Sequence, residues 1–120
     1  MLNKEFAKTL EQRTLDFSID VIKLSATISN STETKIVRNQ ITKCATSIGA
    51  NYREANRSRS RADFRNKIKI CESEASETQY WLLIISRMEW AKPEYLNRIY
   101  NECSELLALF TKIAKSTNAG

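Results

Sequence analysis

The sequence contains no histidine, two glycines and one proline in 120 residues. Each scarcity excludes something. Without histidine the Glu-x-x-His pairs of a di-iron helical bundle cannot be assembled. A serine or cysteine nucleophile would have to pass its proton to a lysine or a carboxylate, and no such grouping stands out. Two glycines leave no phosphate-cradling loop, and so little glycine and proline argues against a turn-rich β fold. The longest apolar run, residues 80–85, is far short of a membrane span. Residues 1–18 carry charges every few positions and lack the apolar stretch of a secretory leader. Cys44, Cys71 and Cys103 are odd in number and widely spaced, unlike the paired framework of a small secreted domain. The expectation is a single-domain cytoplasmic protein with no enzymatic activity, no cofactor, no metal and no membrane partner.

What the sequence does have is helical periodicity. Four segments, at about 4–29, 33–55, 61–90 and 93–115, repeat apolar residues at alternating spacings of four and three. The third is the most regular, with Phe64, Ile68, Cys71, Ala75, Thr78, Leu82 and Ile85 on one line. The second carries Val37, Ile41, Cys44, Ile48, Asn51 and Ala55, and the fourth Leu96, Ile99, Cys103, Leu106, Phe110 and Ile113. The cysteines fall on these stripes as small core fillers. Long helices joined by short breaks pack as antiparallel neighbours, so the fold class is all-α, an up-down-up-down antiparallel four-helix bundle. Asn30 or Thr32 is the expected cap of the second helix and Ser60 of the third, while Pro93 opens the fourth. The first helix is apolar on two opposite faces: Leu15, Ile19, Ile22 and Ala26 on one, Phe17, Val21, Leu24 and Ile28 on the other. One face serves the core; the other calls for a cover, and a second subunit is the natural one.

The net charge of +5 is concentrated. Arg53, Arg57, Arg59, Arg61, Arg65, Lys67 and Lys69 face only two acids, Glu54 and Asp63, within seventeen residues, and elsewhere twelve basic and twelve acidic residues cancel. Arg61, Arg65 and Lys69 share one helix face, where like charges repel, and bases in a first turn oppose the helix dipole. The segment reads either as a phosphate contact, since arginine's planar fork suits phosphate oxygens, or as a solvated surface paired internally with Glu72, Glu74 and Glu77. No aromatic stacking platform accompanies the arginines, so any contact would be to the backbone. Asn51, Glu74 and Glu77 interrupt apolar stripes, and with Glu54 they are read as a structural polar network that fixes helix register.

The run Gln40-Ile41, Ser47 through Ala55, Arg59-Ser60, Asp63-Phe64 and then Glu74-Ala75-Ser76-Glu77-Thr78-Gln79-Tyr80-Trp81-Leu82 resembles the four-helix-bundle family named after proteins encoded in intervening sequences of bacterial large-subunit ribosomal RNA genes. The resemblance spans about residues 15–113. Ala55 stands where many members carry glycine. The resemblance implies a ring-shaped homo-oligomer, most often a pentamer, and a relation to the basic accessory proteins of diversity-generating retroelements, which bind nucleic acid. The functional expectation is an oligomeric protein that associates with RNA or DNA, RNA favoured, through Arg53, Arg57, Arg59, Arg61, Arg65, Lys67 and Lys69. The alternative is a protein-interaction scaffold whose basic rim docks an acidic partner, with no nucleic-acid binding.

Overall fold

The computed structural model describes residues 4–117. Four helices follow one another: α1 (Lys4–Thr27), α2 (Thr32–Ala55), α3 (Arg61–Arg87) and α4 (Pro93–Ser116). Each is 24 to 27 residues long, and the molecule measures 47 × 23 × 20 Å. Consecutive helices pack side by side and α4 closes back on α1, so α1 and α3 stand at opposite corners, as do α2 and α4.

The helix ends have local causes. Ser31, not Asn30 or Thr32, caps α2: its hydroxyl accepts from the Thr34 N–H at 3.0 Å, and the Thr34 hydroxyl accepts in return from the Ser31 N–H at 2.8 Å. Ser31 has the extended backbone that aims its side chain back at the first turn. Ser60 caps α3 by accepting from the Asp63 N–H. α3 stops at Arg87, three residues before the periodicity suggests, because Glu89 adopts a left-handed conformation with φ 57°. The Glu89 N–H donates to the Ser86 carbonyl and the Trp90 N–H to the Ile85 carbonyl, both at 3.1 Å, which satisfies carbonyls that the terminated helix leaves free.

The core is one continuous apolar column. α1 contributes Leu10, Phe17, Val21, Leu24 and Ile28, so it is the second of its two faces that turns inward. α2 turns Ile41, Ala45, Ile48, Tyr52 and Ala55 inward, a line passing through Tyr52 and not Asn51. The α3 and α4 stripes are buried as their spacing predicts, with Phe64 only half-buried. All three cysteines are buried, and burial pushes their thiols up, Cys44 to about 11 and Cys71 and Cys103 to about 12.

α1 and α2 approach closely because their facing residues are small. Ser18 donates to the Ala45 carbonyl at 3.4 Å, and a Cβ added to Gly49 would sit 3.2 Å from Thr14 Oγ1. Thr14 is itself fully buried, and its hydroxyl donates within α1. It has no room to retreat. The helical cost of glycine, about 1 kcal/mol against alanine, is thus offset by helix–helix contact. The α1–α4 seam is held by charge: Arg13 donates to Glu102 at 2.7 and 2.8 Å and also reaches Glu105.

Two opposite expectations follow for the two unusual backbone positions. Gly49→Ala will not show the roughly 1 kcal/mol gain of an ordinary helical Gly→Ala change, and Gly49→Val will lower the melting temperature. Glu89→Gly will raise it by about 2–5 °C, since glycine relieves roughly 1 kcal/mol of left-handed strain. Calorimetric melts of the three variants check both.

Candidate nucleic-acid interface

The α2–α3 connection and the flanking turns hold the basic segment at one end of the bundle. Arg53 lies in the last turn of α2, Arg57 and Arg59 in the connection, and Arg61, Arg65, Lys67 and Lys69 on α3. The structure divides them. Lys67 bridges the two helices, donating to Glu54 at 2.8 Å; this hydrogen bond holds the Glu54 carboxyl below the usual carboxylate range. Lys69 pairs with Glu72 on its own helix at 3.3 Å. Among the described residues Arg53, Arg57, Arg59, Arg61 and Arg65 form no ion pair. Arg65 is half-buried, and its Nε is buried without a hydrogen-bond partner. Internal pairing thus accounts for two lysines and for none of the arginines.

Tertiary structure adds charge that the linear segment does not contain. The antiparallel order carries the end of α4, with Lys112 and Lys115, to the same end of the bundle. Over residues 70–111, by contrast, seven acidic residues meet three basic ones. The molecule is polarised, with a strongly basic end and an acidic balance in the rest of α3 and α4.

The same end is hollow. A cavity of about 570 Å³ opens there, walled by Ala7 of α1, Ala55 of α2, Phe64 of α3 and Ile113 of α4, with Arg59 and Arg61 also lining it. Phe64 stands on the most regular core stripe, and nothing in that pattern marks it as different. The stripe simply runs out of partners at the bundle end. One aromatic side chain, the half-buried Phe64, thus lines the same cavity as Arg59 and Arg61.

The polar set on the stripes does not assemble into a network. Asn51 Nδ2 donates to the Ser47 carbonyl of its own helix at 2.9 Å, Glu54 pairs with Lys67, and Glu77 is exposed, accepting from Trp81 Nε1 at 3.0 Å. Glu74 is half-buried, and burial, reinforced by Glu77, pushes its carboxyl up. No hydrogen bond among the described residues joins Asn51 to Glu74 or Glu77. The reason is rotational: Tyr52 takes the inward position on α2 and moves Asn51 to the flank, where its own helix supplies an acceptor. Among the described residues no group of three or more histidine, cysteine or acidic side chains is placed to hold a metal ion, and no helix is long and apolar enough to cross a membrane.

Large apolar side chains remain outside. On α1 Leu15, Ile19 and Ile22 are 41, 40 and 45% exposed; on α3 Ile70, Tyr80 and Leu83 are similarly open, as is Met88 just beyond its end.

Residues 8–112 match the family model described as 23S rRNA-intervening sequence protein. Among solved structures, the chain is similar to a protein of unknown function from the S23 ribosomal protein family of Bacteroides thetaiotaomicron, with 36% identity, a TM-score of 0.83, and coverage of 91% of this chain and 97% of that one. No curated protein matches it.

Proposed function

The chain belongs to the 23S rRNA-intervening sequence protein family, and from that premise we propose that it is a non-enzymatic, self-assembling protein that associates with nucleic acid, RNA in preference to DNA, through phosphate contacts at its arginine-rich end. The observation that carries the reading is the set of five arginines gathered at one end without an acidic partner among the described residues. Their mutual repulsion and their opposition to the α3 dipole are local costs. A row of phosphates would turn both into attraction. RNA takes first place from the matched family's setting, sequences that intervene in 23S rRNA genes; the name itself states no bound RNA.

Self-assembly rests on the exposed apolar side chains. α1, with Leu15, Ile19 and Ile22, and α3 occupy opposite corners; on α3 Tyr80 lies between Ile70 and Leu83, which stand about 140° apart around the helix. A contact between the α1 face of one copy and the α3 face of the next is head-to-tail, and such contacts close into a ring when the rotation between copies closes. Cyclic symmetry then presents every arginine-rich end on the same side, so that several weak phosphate contacts act together. Five copies is the number the family resemblance implies.

Two measurements test the proposal. A fluorescence-anisotropy titration with a generic RNA will show binding that weakens steeply with salt, by roughly 0.7 to 0.9 in the log–log slope per phosphate contacted. Arg57→Glu with Arg59→Glu and Arg61→Glu will abolish it and leave the melting temperature nearly unchanged, since all three side chains are exposed. Wild-type protein that fails to bind at low salt overturns the nucleic-acid reading in favour of a basic rim that docks an acidic protein. Light scattering will give a mass several times 13.8 kDa, and Ile19→Asp with Ile22→Asp will reduce it to that of a single chain. A wild-type monomer at micromolar concentration overturns self-assembly.

A further inference from the structure

The cavity at the basic end has a composition that a plain phosphate-binding surface does not need. Each helix supplies it with an apolar side chain: Ala7, Ala55, Phe64 and Ile113. Arg59 and Arg61 line it too, and among the described residues no acidic side chain does. Its volume, about 570 Å³, falls in the range of sites that enclose small organic ligands. A chamber that joins an apolar side chain from each helix to Arg59, Arg61 and the polar residues Asn56, Ser58, Ser116 and Thr117, with no acid among the described lining, fits a flat ring with polar edges attached to an anion.

We propose that this cavity receives one unstacked base of a single-stranded nucleic acid, with the base against Phe64 and its flanking phosphates on Arg59 and Arg61. The inference rests on the nucleic-acid reading above and narrows it from polyanions in general to strands with free bases. Phosphates continuing past the pocket would find Arg53, Arg57 and Arg65 on the flanking segments, charges that a ligand with a single anionic group would leave unused. A base inside a duplex is stacked on both faces and cannot enter; a base in a loop or at a strand end can. Aromatic stacking of this kind tolerates any base, so the pocket confers a preference for strand state and not for sequence.

The test compares a ten-nucleotide oligouridylate with a ten-base-pair RNA duplex by fluorescence anisotropy. Phe64→Leu keeps an apolar side chain at the site but removes the flat ring, and Ala7→Leu adds bulk to the chamber. Each will weaken binding of the single strand about tenfold, the range of one base–aromatic contact, while leaving duplex binding and the salt slope as in the wild type. Phe64→Trp will keep single-strand affinity and add, over the emission of Trp81 and Trp90 seen in the wild type, a component that the oligouridylate quenches and the duplex does not. Circular dichroism of each variant establishes that it is folded. If folded Phe64→Leu and Ala7→Leu both bind the single strand as tightly as wild type, or lose duplex binding equally, the pocket is overturned and the phosphate reading stands. If wild-type protein binds neither RNA at low salt, both readings fall.

Discussion

Every helix in this bundle must turn one line of apolar side chains inward, and the choice of line sets the position of everything else. α2 illustrates the constraint. Its inward line runs through Ala45, Ile48, Tyr52 and Ala55. Tyr52 lies wholly inside, edge-on to Phe110 of α4 with ring centroids 5.6 Å apart. A residue with so large an apolar surface contributes more by burial than a small amide can, so Asn51 is rotated to the flank. The same rotation sets Gly49 against Thr14 and brings α1 close. It also directs Arg53, one position beyond Tyr52, to solvent.

With the rotations set, the surface divides by function. The α1–α4 seam is the least extensive of the four helix contacts, and there the protein uses ion pairs: Arg13 between Glu102 and Glu105, and Arg98 to Asp20 at 3.4 Å. At the α2–α3 end the opposite holds. Acids that could have neutralised the arginines are few: Glu54 and Glu72 go to lysines, and Glu11 of α1 accepts from Asn56 Nδ2 at 2.8 Å. Lysine's compact ammonium is satisfied by one carboxylate, and arginine's fork is left open for a planar anion. Helix stability is given up at the start of α3 through repulsion along Arg61, Arg65 and Lys69. The neighbouring core, closed by Ile68 and Cys71, is enough to hold the helix in place.

The cavity arises from the same geometry. A bundle core is closed laterally by neighbouring helices, but at its end nothing continues the stripe. Phe64 is the first member of the α3 line and is only half-buried; with Ala7, Ala55 and Ile113 it lines the open end of the core. The connection that carries Arg59 must cross this end to join α2 to α3. An apolar hollow and a cationic lining are therefore brought together by topology, without any residue pattern that announces a site.

The sequence by itself determined the number of helices, their limits to within a few residues, the burial of the cysteines and the location of the excess charge. These depend on local spacing and composition, which a linear reading carries in full. The cap at Ser31 and the left-handed stop at Glu89 are made by residues within five positions of each other and were simply not marked by the apolar spacing. The identity of the buried α1 face, by contrast, was decided by three-dimensional packing. So was the fate of the polar set: Asn51, Glu74 and Glu77 interrupt apolar stripes in the sequence, yet a shift of one residue in the inward line, about 100° of rotation, separates them into unrelated local contacts. The addition of Lys112 and Lys115 to the basic end, the pairing of lysines but not arginines, and the hollow beside Phe64 come from residues far apart in the chain. Only the antiparallel order of the helices brings them to one place, because their juxtaposition is set by packing across the core and not by spacing along the chain.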